Sequence, residues 1–133
     1  MPSRISFLSL SAVLFAMLFL AGCQALNPVC LTARPAPVVA SLSPTAVALG
    51  QTQQGFVLTV NGSHFDSASV IMLNGAELST TFVSDQQLKA TFTATSISAT
   101  GPANVVVHTP SNLAGDLGCN SGGNSAALVL TIT

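Results

Sequence analysis

"GFVLTVNGSHF", Gly55 to Phe65, is the stretch whose period decides the fold class. Phe56, Leu58 and Val60 fall on one face and Val57 and Thr59 on the other, the two-residue alternation of a half-buried strand. A helix of the same composition would scatter these side chains around its circumference. The run passes into Asn61-Gly62, a pair that tolerates positive φ and is expected to turn the chain.

The same texture continues on both sides. Strands are expected at Val38 to Leu42, Ala46 to Leu49, Gly55 to Asn61, Ser69 to Leu73, Glu77 to Val83, Leu88 to Thr93, Ala103 to His108 and Ala126 to Thr133. Leu128, Leu130 and Ile132 repeat the alternation at the C-terminus, Asn74-Gly75 offers a second turn, and Gly101-Pro102 breaks the chain before the next strand. No stretch shows a helical period. Many short strands in about a hundred residues describe an all-β, antiparallel sandwich. Phe65 and Phe92 read as core rather than as ligand contacts.

Five pieces in order then resemble a known family: "SLSP" (Ser41 to Pro44), "FVLTVNGSHF" with Gly62 and Phe65, "VIMLNG" ending at Gly75, "TTFVSDQQLKATF" with Leu88, and "GPANVVVHTP" from Gly101 to Pro110. Together they are similar to the IPT/TIG domains, immunoglobulin-like folds found in plexins, some transcription factors and many bacterial exported proteins. The resemblance covers Pro37 to Thr133 and implies an immunoglobulin-like antiparallel β-sandwich over residues 38–133. "SNLAGDLGCNSGGNSA", Ser111 to Ala126, departs from it, being longer than the family's usual turn before the last strand.

The N-terminus is of another kind. A short polar start bearing Arg4 precedes an uncharged stretch from Ile5 to Gly22 rich in Leu, Phe, Ala and Val, the layout of a signal-peptide helix. Its length is near the lower limit for a spanning helix, but no basic residues follow as they would after a stop-transfer segment. Leu20, Ala21, Gly22 and Cys23 resemble the lipobox of bacterial lipoprotein precursors at all four positions. That resemblance implies removal of residues 1–22, acylation of Cys23, and a lipidated, extended tether over residues 23–37, where three prolines interrupt any period. Several acyl chains, at about 0.8 kcal/mol per buried methylene, would hold the protein on a membrane. Gln24 in place of an Asp favours the outer over the inner membrane of a bacterial cell envelope.

With Cys23 assigned to lipid, Cys30 and Cys119 remain. An exported compartment and an even count favour a disulfide, with two free thiols or pairing between molecules as the alternatives. The immunoglobulin-like resemblance implies that the two are neighbours, because the N-terminus of such a sandwich shares a pole with the loop before the last strand. That pole would face the membrane and leave the opposite pole and the sheet faces to partners.

Composition excludes several chemistries. Three basic and four acidic residues in 133 leave a surface of Ser, Thr, Asn and Gln, too weakly charged to neutralise phosphates, so nucleic acid is not a partner. The absence of Trp and Tyr removes the usual stacking platforms. His64 reads as a turn residue and His108 as a strand end, and neither has the neighbours of a metal site. There is no Gly-x-Ser-x-Gly elbow, Asp66, Glu77, Asp85 and Asp116 have no paired spacing, and "GDLGCNSGG" lacks the following helix of a phosphate cradle. Asn61-Gly62-Ser63 fits a glycosylation sequon but reads as a turn. No catalytic residue, metal or cofactor is assigned, and no ligand-binding residue can be named. The expectation is a non-catalytic, lipid-anchored envelope module that binds or adapts protein or glycan partners. A structural spacer without a specific ligand, or an accessory module of a carbohydrate-active system, are the other readings.

Overall fold

The alternation across Phe56–Val60 becomes a strand in the computed structural model of the protein, which describes residues 34–111 and 122–133. Among the described residues ten strands and one helical turn follow in order: β1 Val38–Ser43, β2 Ala46–Val47, α1 Leu49–Thr52, β3 Val57–Ser63, β4 Val70–Leu73, β5 Ala76–Glu77, β6 Ser79–Ser84, β7 Gln87–Thr91, β8 Gly101–Thr109, β9 Gly123–Asn124 and β10 Leu128–Ile132. One sheet has the order β1-β3-β7-β6 and the other β2-β10-β8-β4-β5, with β9 on β8. All pairings are antiparallel except the short parallel one of β2 with β10. This is the expected immunoglobulin-like β-sandwich.

Each sheet turns its alternate apolar residues inward. Leu58 and Val60 of β3 and Leu88 and Ala90 of β7 meet Ile71 of β4, Val105 and Val107 of β8 and Leu130 of β10, all without solvent exposure. Phe92 is also wholly buried and meets the ring of Phe56 edge-on at 5.5 Å, while Phe65 is buried at 5% exposure. The expected core is therefore the observed one.

Several boundaries differ for local reasons. The strand expected to Leu49 stops at Val47, and Leu49–Thr52 form a helical turn instead. There the Leu49 N–H donates to the Thr133 carbonyl, and the buried Thr52 hydroxyl donates back to the Leu49 carbonyl. The single strand expected over Glu77–Val83 is divided at Leu78. Its N–H donates to Ile71 of β4 at 2.8 Å, and the chain then passes to the other sheet as β6.

Gly101-Pro102 opens β8 rather than preceding it, since Pro102 lies opposite Thr131. β9 occupies part of the stretch read as a long loop. Asn74-Gly75 forms the expected two-residue hairpin turn, with φ of 50° and 86° between paired Leu73 and Ala76. Asn61-Gly62, by contrast, lies inside β3, and the left-handed residue is His64 at φ 60°. Gly62 answers to close approach instead. A Cβ there would lie 1.9 Å from the Val38 carbonyl oxygen and 2.7 Å from the Phe65 ring, where β1 bulges between Val39 and Ser41.

Candidate binding surface

Alternation sends every second residue of the β1-β3-β7-β6 sheet outward. Register places Ser41 opposite Asn61, and Asn61 opposite Gln87, on three adjacent strands. The side chains join: Gln87 Nε2 donates to Asn61 Oδ1 at 3.0 Å, and Asn61 Nδ2 reaches Ser41 Oγ at 3.5 Å. Beside this row, Ala40, Asn61, Gly62, Ser84, Gln86 and Gln87 line an open depression of about 360 Å³. The β6–β7 turn that forms one wall is pinned, because the Gly62 N–H donates to the Gln86 carbonyl and the Phe65 N–H to that of Asp85. Each tethered amide keeps further donor or acceptor positions toward solvent with part of its rotamer freedom already lost.

Elsewhere on that outer face Thr59, Lys89 and Thr81 share one register row, and Val57 and Val38 are exposed beyond it. At the end of the sandwich away from residue 34, Asn74, Ser96, Ile97, Thr100, Pro102 and Ile132 border a smaller cleft of about 240 Å³.

No catalytic constellation is assembled among the described residues. His64 follows β3 in the bend after Ser63, whereas His108 lies in β8 with its Nδ1 2.6 Å from Asn124 Oδ1. No three His, Cys, Asp or Glu side chains come together to hold a metal ion among the described residues. Asp66 is paired with Arg34 at 2.6 Å, Asp85 sits in the β6–β7 turn and Glu77 is exposed on β5. Hydroxyls serve the fold: Ser69 and Thr109 share a buried hydrogen bond of 2.7 Å, and Thr80 Oγ1 accepts from the Ile71 N–H while donating to the Leu78 carbonyl. Leu20, Ala21, Gly22, Cys23, Cys30, Asp116 and Cys119 lie outside the described residues. The row of Ser41, Asn61 and Gln87 was not singled out from sequence. Alternation marks each as outward-facing, but only strand register makes them neighbours.

Comparison with known proteins is consistent with this architecture. Residues 37–127 match the model of the IPT/TIG domain. Among solved structures, γ-CGTase from alkalophilic Bacillus clarkii superposes with a TM-score of 0.53 at 18% identity, covering 74% of this chain and 12% of that one. An auxiliary nutrient binding protein from Bacteroides thetaiotaomicron gives a TM-score of 0.51 at 14% identity over 74% of this chain and 21% of that one. The chain thus spans about an eighth and a fifth of these two structures, and the likeness is one of fold. A search of curated proteins gives no match.

Proposed function

The chain belongs to the IPT/TIG domain family, and we propose on that footing that it is a non-catalytic binding module, held in a bacterial cell envelope by lipid on Cys23. The observation that carries the binding role is the hydrogen-bonded row Ser41, Asn61 and Gln87 with the depression beside it. An array of neutral amides and hydroxyls suits an uncharged protein segment or a glycan and offers no positive charge to neutralise a phosphate. Affinity capture from the native envelope under crosslinking tests it: a specific partner supports the module. Recovery of the bait alone would favour a structural spacer.

Anchoring rests on the lipobox resemblance, and Cys23→Ala is expected to abolish palmitate labelling and release the protein from the outer-membrane fraction; unchanged labelling would refute it. For Cys30 and Cys119 the support is a neighbouring backbone bond, in which the Gly122 N–H donates to the Arg34 carbonyl at 3.2 Å. Those residues follow Cys119 by three positions and Cys30 by four. A Cys30–Cys119 cross-linked peptide is expected from the non-reduced mature protein, and free alkylation of both thiols would exclude the bond.

A further inference from the structure

Residues 34–37 fall in the stretch expected as an extended tether, yet Arg34 is gripped by both its side chain and its backbone. Its Nη1 lies 2.6 Å from Asp66 Oδ2, with the two side chains only 34% and 27% exposed. Asp66 is itself immobilised. Its Oδ1 accepts from the Ala68 N–H at 3.0 Å and the Ser67 hydroxyl at 3.3 Å, and its own N–H donates to Ser69 Oγ at 2.8 Å. Ser69 in turn is bonded to the buried Thr109 hydroxyl of β8. On the backbone side, Gly122 N–H donates to the Arg34 carbonyl, and Gly122 is seated so closely that a Cβ would lie 2.4 Å from the Thr109 carbonyl oxygen. Two segments remote in sequence therefore meet at Arg34, and both rest on Thr109.

A charge-assisted bond whose acceptor is already fixed loses less side-chain entropy on forming than a bond between two mobile surface groups. We propose that Arg34 is an N-terminal clamp: the rigid body of the sandwich begins at Arg34, not at Val38, and the Arg34–Asp66 pair sets the direction in which the chain enters it. The consequence concerns presentation. If Cys23 carries lipid, residues 24–33, ten in all, lie between anchor and clamp, a reach of at most about 35 Å that the proposed Cys30–Cys119 bond would shorten further. A module clamped at residue 34 is held closer and with less freedom to tilt than one that begins at residue 38.

Amide hydrogen exchange resolved by residue in the full chain tests the clamp. Arg34→Ala and Asp66→Asn are each expected to speed exchange at Gly122 and Val38 by about two- to fivefold, the scale of a partly exposed ion pair, and to leave Leu58 and Val105 unchanged. Asp66→Asn keeps a side-chain acceptor for the Ala68 N–H, so its loop survives the loss of charge. Arg34→Lys is expected to fall between Arg and Ala. Unchanged exchange at Gly122 in both charge-removing variants would overturn the proposal. So would a uniform rise across the sheets, which would mark the pair as a global stabiliser rather than a local clamp.

Discussion

Gly62 shows how one missing side chain decides local packing. Its α-carbon lies beneath the β1 bulge and against the Phe65 ring, so a methyl group has nowhere to go without moving backbone. Gly62→Ala is expected to cost about 3 kcal/mol, the upper range for forcing an atom into a packed site, as read by urea denaturation. A cost below about 0.5 kcal/mol, typical of an ordinary surface change, would show that β1 can step aside. Ser69 is the polar counterpart. Ser69→Ala leaves the buried Thr109 hydroxyl without its 2.7 Å partner and the Asp66 N–H without its acceptor, for an expected loss of about 1–3 kcal/mol. Both residues were visible in the sequence, but for different reasons than those found: Gly62 read as a turn former and Ser69 as the start of a strand.

At the level of elements, alternation was the dependable signal because it records burial directly. Leu58 and Val60 are buried where Val57 and Thr59 are not, and Leu130 and Ile132 repeat the pattern in β10. What escaped the sequence depends on tertiary contact. The division of β5 from β6 at Leu78 needs the Ile71 carbonyl, and the helical turn α1 needs the Thr133 carbonyl at the far end of the chain. The Asn74-Gly75 hairpin was legible because its chemistry is local: both residues take positive φ, and Asn74 Oδ1 also accepts from the Asn104 N–H at 2.8 Å. Gly75→Val is accordingly expected to cost about 1–2 kcal/mol, the penalty of the left-handed region for a residue bearing a Cβ. Thermal unfolding measures it, and an unchanged midpoint would mean that the turn relaxes at no expense.

For the whole molecule, the sandwich sets holding and contacting side by side. The chain enters at the pole where Arg34, Asp66, Thr109 and Gly122 meet, and the β6–β7 turn that walls the hydrogen-bonding row reaches the same pole through Asp85, whose carbonyl accepts from the Phe65 N–H and which lines one cleft with Arg34 and Asp66. That placement was not legible beforehand. Outward positions follow from the period of each strand, whereas bringing Ser41, Asn61 and Gln87 side by side requires the register of three strands far apart in sequence. The binding role itself is tested most directly by a photo-crosslinking residue placed at Gln86, on the wall of the depression, with a control at exposed Thr131 on the other sheet. Cells carrying each variant are irradiated, and crosslinked products are identified by mass spectrometry. The account expects a discrete adduct from Gln86 that is absent from Thr131 and weakens at least tenfold with Asn61→Ala, the loss of about 1.4 kcal/mol. No adduct at Gln86, or the same adducts from both positions, would contradict it.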